Sequence, residues 1–305
     1  MLRLGRKPPE NKPALRLTNY LTGIVPEHPV AADYLANLKN WQMLGNDQYG
    51  DCVAVTWANV RRLLTAALTG KEAYPTLDQV LTLYKTQNPN FPTDDEGMVI
   101  QTCLEYLVKN GGPDGVKALG FARVDMTNQA EIDAAIGIFG FIWAGVYVQQ
   151  VNMTQFDMGK PWDYSPLSKT IGGHSIITGG YNKIGQGALA GYYDFITYGL
   201  ETSYTKNFSQ HLGEEGWVVI WPEHLGVKAF MEGIDLVKFA DAYKALTGKE
   251  FPVDVTPTPV PDPEPEPATG TTFPVYTTAS GQLKLKNKTE VSTFNKGEFK
   301  ITVTK

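Results

Sequence analysis

The loop Gly45-Asn46-Asp47-Gln48-Tyr49-Gly50-Asp51-Cys52 carries one of only two cysteines to the start of an apolar helical pattern that opens at Val53. Unpaired N–H groups and partial positive charge at a helix N-terminus favour a thiolate over a thiol, and the thiolate is the reactive form. The side-chain amide of Asn46, six residues earlier, can curl back beside the sulfur and donate to a developing oxyanion. Far along the chain, Gly172-Gly173-His174-Ser175-Ile176-Ile177 sets a histidine at the start of a strand-like run, suited to act as general base for Cys52. The two glycines before it permit close backbone approach. The chemistry this points to is nucleophilic attack by sulfur on a carbonyl.

The elements that must position these groups can be read from hydrophobic period and punctuation. Helices are expected near residues 52–69, 77–87, 97–110, 128–139 and 234–247, the first ending at Gly70. Strands are expected near 141–149, 173–181, 191–198 and 216–221. Helices first and strands after is an α+β pattern. Cys103, inside Ile100-Cys103-Leu104-Leu107, reads as core, with a Cys52–Cys103 pairing as the minor alternative. His28, His211 and His224 have no context that suggests chemistry and read as surface residues. No His-x-x-x-His or Cys-x-x-Cys spacing suggests zinc, and no glycine run opens a helix to cradle phosphate, so neither metal nor cofactor is expected.

Trp41-x-Met43-x-Gly45-Asn46-Asp47-x-Tyr49-Gly50-Asp51-Cys52, with Gly-His opening a buried strand about 120 residues later and a further strand ending in Thr197-Tyr198-Gly199, resembles the papain-like cysteine peptidases. More narrowly it resembles an actinobacterial and bacteriophage branch with that loop. The resemblance covers roughly residues 25 to 226. It implies a two-lobed body, a helical lobe beside an antiparallel strand lobe, with Cys52 as nucleophile, His174 as base and Asn46 in the oxyanion position. Three positions depart from the family pattern: Asn46 stands for its glutamine, Val53 for the tryptophan after the nucleophile, and Ile196 for the asparagine that orients the histidine. Asp194, two residues before Ile196 and on the same face of a regular strand, is the substitute orienter this reading offers.

A chain of 305 residues with 42% hydrophobic content has room for one large domain and something smaller, and its net charge of −5 argues against a phosphate-backbone partner. The uncharged stretch Ala134 to Val148 is too short to span a bilayer and reads as a helix end turning into a buried strand. No membrane or nucleic-acid partner is expected, and no signal peptide is visible. Residues 1–24 read as an extended N-terminal arm, 25–250 as the body, and 251–270 as a linker with proline at every second position from Pro257 to Pro267 and acidic residues between. Residues 271–305 alternate like strands and read as a small all-β module, too small for its own core, that self-associates or binds another protein. The expectation from these parts is a bacteriophage virion-associated structural protein, made in the host cytoplasm and anchored to capsid or tail proteins through residues 271–305. The alternative is an active cysteine peptidase or amidase acting on cell-wall peptide or virion protein.

Overall fold

The computed structural model describes residues 2–22, 31–36, 38–182 and 191–255, together with the backbone of four short strands between 271 and 303. Two units emerge, Met1–Val255 and Thr256–Lys305.

In chain order the first unit holds β1 (Ala31–Asp33), α1 (Cys52–Leu64), α2 (Leu77–Tyr84), α3 (Ile100–Asn110), β2 (Gly120–Val124), α4 (Gln129–Phe139), β3 (Ile142–Gln149) and α5 (Gln150–Asp157). There follow β4 (Thr170–Asn182), β5 (Tyr192–Thr197), β6 (Leu200–Thr205), α6 (Lys206–Leu212), β7 (Gly213–Ile220), α7 (Lys228–Gly233) and α8 (Leu236–Thr247). Local chemistry explains the ends of the expected helices. Thr76 and Gln79 form a capping box on α2, Asn128 accepts from two backbone N–H groups of α4, and Gly140 and Gly248 close α4 and α8 in the left-handed region. The first helix ends as a π-helical turn, Thr65–Thr69, before Gly70.

The strands form one antiparallel sheet in the order β2-β7-β3-β4-β5-β6, with β1 on β4. Alternation along the central strands sends successive side chains to two separate cores. Trp143, Ile177, Ile196 and Trp217 face a helical lobe of α1–α3, whereas Ala144, Val146, Ile176 and Phe195 face a second core closed by α4 and Phe230 of α7. Every residue of α1 is buried, because the helix is wedged between its own lobe and the sheet. The site lies where those two halves meet.

The sequence reading sets residues 1–24 apart from the body as an extended N-terminal arm. The segment is extended, as its prolines require, yet it belongs to the body: Leu15, Leu17 and Tyr20 are core residues, and backbone bridges join Arg6 to Met98, Arg16 to Arg123 and Leu21 to Ile234. Its apolar residues find their partners across the chain, so no local period announces them.

In the second unit, β8 (Thr271–Thr277) pairs with β11 (Gly297–Val303) and β9 (Gly281–Lys284) with β10 (Val291–Phe294), all antiparallel. The linker residues 256–270 lie outside the described residues.

Candidate active site

Cys52 is the first residue of α1 and is 1% exposed. Burial pushes its thiol up to about 12 and outweighs the backbone N–H groups of Ser175 and Gly5, which are directed at the sulfur and favour the thiolate. The N–H of Ser175 ties β4 to the helix start, so the residue before it, His174, belongs to the same junction. The Ser175 hydroxyl reinforces the tie by donating to Thr56 Oγ1 of α1 at 3.0 Å.

His174 is fully buried. Its Nε2 lies 2.8 Å from Thr197 Oγ1 at the end of β5, and its Nδ1 has no hydrogen-bond partner. A proton on Nε2 given to the Thr197 hydroxyl leaves the Nδ1 lone pair unengaged, which is the arrangement a general base needs. The ring is clamped by Tyr198, stacked at 4.7 Å between centroids. Tyr198 reaches that place through the turn between β5 and β6. Thr197 pairs with Leu200 across a two-residue loop whose central residues, Tyr198 and Gly199, both have positive φ (47° and 72°). This is the type I′ geometry that suits a twisted hairpin. Burial, helped by the nearby Arg6 charge, pulls the imidazole down to about 3. The resting pair is thus a thiol and a neutral imidazole, with no hydrogen bond between them.

Two expectations are corrected here. Asp194 does not orient His174: it accepts from Ser203 Oγ at 2.7 Å, on the face of β5 opposite to Thr197. Ile196, assigned to the orienting position by counting back from Tyr198-Gly199, is a core residue paired with Ile177. The histidine's partner is the next residue, Thr197, because neighbouring strand residues point to opposite faces.

Asn46 is 2% exposed, and its Nδ2 lies 3.5 Å from Asp51 Oδ1, a long contact one residue from the sulfur's own. Burial, reinforced by repulsion from Asp95, raises Asp51 to about 8. In its ionised form the Asp51 carboxylate adds to the burial that raises the Cys52 thiol.

The cleft above Cys52 is filled by the chain's own N-terminal segment. The Arg6 N–H donates to Gly173 O at 3.1 Å, Met98 N–H to Gly5 O at 2.8 Å, and Lys7 N–H to Met98 O at 2.8 Å. Gly5 fits only as glycine, since a Cβ there would lie 1.9 Å from Gly50 O. A Cβ on Gly173 would lie 2.5 Å from Arg6 O, so that glycine serves close backbone approach, and one on Gly172 would meet the Leu4 side chain at 2.9 Å. Tyr198 Oη donates to Arg3 O at 2.9 Å, and Arg3 pairs with Asp95. Beside this segment a hollow of about 810 Å³, lined by Leu2–Leu4, Asp47, Gln150, Met153, Asp157 and Ile171, continues the cleft. A hollow of about 730 Å³ between the ends of α3 and α8 contains none of these site residues.

Of the other residues singled out, Cys103 is buried core, and neither cysteine is in a disulfide. His211 is on the surface, and His28 lies outside the described residues. His224 departs from its surface expectation. It is 1% exposed, accepts from Trp221 N–H on Nδ1 at 3.0 Å and donates from Nε2 to Phe139 O at 3.1 Å. Burial lowers it to about 4. Among the described residues no group of three or more His, Cys, Asp or Glu is placed to hold a metal ion, and no helix is long and apolar enough to cross a membrane.

Two neutral, buried histidines set an acid limit on this body. A histidine depressed in the folded state takes up its proton first in the unfolded chain, so stability falls as pH drops below the ordinary value of about 6.5 toward the folded values. The histidines' contribution to the urea midpoint should therefore fall from about pH 6.5 to about pH 4, against the opposite contribution of the raised Asp51 carboxyl. Replacing His224 by glutamine should flatten part of that slope, and an unchanged slope would show that His224 is not held neutral.

No family model matches the chain, and no curated protein sequence matches it. Solved structures do. Xylellain, a cysteine protease from Xylella fastidiosa, superposes with a TM-score of 0.56 at 13% identity over 72% of this chain and 96% of its own. Procathepsin B S9 from Trypanosoma congolense gives 0.52 at 12% identity over 73% and 86%. The proform of the ragweed pollen cysteine protease Amb a 11 gives 0.50 at 14% identity over 65% and 68%. With a helical lobe, an antiparallel strand lobe, and a cysteine and a histidine at their junction, the chain has the papain-like two-lobed α+β fold.

Proposed function

We propose that this chain is a thiol hydrolase of peptide or amide bonds whose resting form is closed by its own N-terminal segment. The observation that carries the reading is the junction itself. Cys52 opens a buried helix with two N–H groups on its sulfur, and His174 has Nε2 fixed by Thr197 and Nδ1 left free. In turnover His174 takes the thiol proton as sulfur attacks the carbonyl. The Cys52 N–H and the Asn46 amide hold the oxyanion. The C–N bond breaks as a C–S thioester forms, and the proton passes to the leaving amine. Water then attacks the thioester, His174 takes its proton, and the acid product leaves as that proton returns to sulfur. Closure also explains why a chain with these residues need not digest its neighbours while it is made.

The test is peptide-bond cleavage by the full chain carrying Gly5→Val, whose Cβ cannot be seated under Gly50. Cleavage of a fluorogenic peptide library that disappears on adding Cys52→Ala or His174→Ala is the expected result. A folded Gly5→Val chain that cleaves nothing removes the hydrolase reading.

A second reading keeps the fold and drops the chemistry: a virion-associated structural protein, anchored and self-associated through residues 271–305. The closed cleft and the buried, protonated thiol favour it, as does the proline-rich acidic run before residue 271. Its test is deletion of residues 256–305, which should leave a folded body that no longer associates with particles.

A further inference from the structure

The hollow of about 730 Å³ between the ends of α3 and α8 takes no part in the chemistry at Cys52, and its lining is sorted by polarity. Val108, Leu119, Phe121, Tyr243 and Leu246 make an apolar floor. Much of that floor is anchored from behind. Phe121 meets Trp217 edge-on at 5.6 Å between ring centroids, and Tyr243 meets Phe251 likewise at 5.6 Å. The Leu119 N–H donates to Ile220 O of β7 at 2.7 Å. The floor is therefore set before anything enters, which lowers the cost of binding. Leu246, 44% exposed, is the large exposed hydrophobic among the lining residues.

Around the mouth stand Lys12, Lys109, Lys117 and Lys249, with Glu105 and Glu250. Both acids are already paired, Glu105 with Lys12 Nζ at 3.4 Å and Glu250 with Lys244, which lies outside the lining. Lys109, Lys117 and Lys249 form no ion pair among the described residues. Lys117 is held close over the end of α3, since a Cβ on Gly111 would lie 3.0 Å from its Cγ. The ends of α3 and α8 supply about half a negative charge each, well short of balancing these lysines.

A volume of this order is what single small ligands occupy, commonly about 300–1,000 Å³. A protein partner would cover roughly 800 Å² on this side, and Leu246 is little exposed apolar surface on which to anchor one. An apolar floor under a cationic mouth fits a molecule built the same way, an apolar chain ending in an anion. A polar anion without a chain leaves the floor wet, and a cation on the same chain is repelled.

We propose that this hollow binds a single-chain amphiphile with an anionic head, of the class of medium- and long-chain carboxylates. Its chain lies on Phe121, Tyr243 and Leu246, and its head among Lys109, Lys117 and Lys249. The site stands apart from the hydrolase reading, because no residue of the Cys52 junction lines it.

The full chain is titrated by calorimetry with sodium decanoate and sodium octanoate. Decyltrimethylammonium supplies the same tail under the opposite charge, and hexaglutamate supplies anions without a tail. All are kept below their micellar concentrations. Decanoate should bind at a single site at least about tenfold tighter than octanoate, since each buried methylene is worth about fourfold. Decyltrimethylammonium and hexaglutamate should each bind at least about tenfold more weakly than decanoate. Two variants locate the site. Leu246→Glu puts a carboxylate on the floor, and Lys109→Gln with Lys117→Gln strips the mouth of charge. These positions are exposed, so the fold should survive, which far-UV circular dichroism checks. Each variant should weaken decanoate by at least about tenfold. Lack of saturable decanoate binding, or equal affinity for decyltrimethylammonium, overturns the proposal. So does hexaglutamate binding as tightly as decanoate, which would make the mouth a general polyanion surface. Undiminished decanoate binding in either folded variant overturns it as well, because the ligand then sits elsewhere on the chain.

Discussion

Gly5→Val should raise the rate of Cys52 alkylation by iodoacetamide near neutral pH by about three orders of magnitude over the unsubstituted chain. The expectation follows from what covers the sulfur. In the closed form burial raises the thiol from an ordinary 9.0 to about 12, so the reactive thiolate is scarcer by about three powers of ten. The N–H of Gly5 compensates only in part, because burial is the dominant cause. A Cβ at Gly5 collides with the Gly50 carbonyl, which cannot yield without distorting the loop that carries Asn46 and Cys52. The segment leaves, and water reaches the sulfur while Ser175 N–H and the helix N-terminus stay. Residues 15–20 remain packed in the core, so the body should keep its fold, which far-UV circular dichroism checks. A second arm tests the pair: His174→Ala in the opened background should slow labelling, since the imidazole is then no longer there to take the proton. Equal labelling of the unsubstituted and Gly5→Val chains would mean the segment does not close the site.

The same segment marks where sequence reading reaches its limit. The loop from Gly45 to Cys52 and the Gly-Gly-His opening of β4 were legible because their signals are local: turn residues, a helical period, glycines before a strand. Residues 2–22 were not, because their partners lie far away in sequence: Arg6 binds Glu214 and Glu215, and Gly5 meets Gly50 and Gly97. Polar, proline-bearing sequence without a period is what a free arm and a strap held by distant glycines both look like. His224 is a parallel case. Its burial is acceptable only because a backbone N–H and a backbone carbonyl satisfy both ring nitrogens, and neither is visible in composition. The short elements β2, β6 and α5–α7 escaped for a related reason, since each is fixed by its sheet or cap neighbours more than by its own pattern.

The orienting residue is where the reading failed by a single position, and this gives the second large expected effect. Counting back from Tyr198-Gly199 selected Ile196, and a carboxylate on that face, Asp194, was offered in its place. Strand alternation makes such an error absolute: one step along β5 moves a side chain from the His174 side to the core shared with α1. Placing an amide at the counted position, Ile196→Asn, should therefore not help the histidine. It buries an amide opposite Ile177 where no partner waits and removes a packed side chain, for an expected loss of about 3 kcal/mol or more in urea unfolding. Thr197→Val is nearly isosteric and leaves packing almost unchanged, but it takes the oxygen from His174 Nε2. On the proposed hydrolase reading, it should lower peptide cleavage in the Gly5→Val background by roughly 10- to 100-fold, with a shifted pH profile and little change in the urea midpoint. Thr197→Asn, which puts a carbonyl oxygen on the correct face, should recover much of that loss. If Thr197→Val cleaves as well as its parent, the imidazole is oriented by the Tyr198 stack alone. If Ile196→Asn is as stable as its parent and cleaves faster, the face assignment in β5 is wrong.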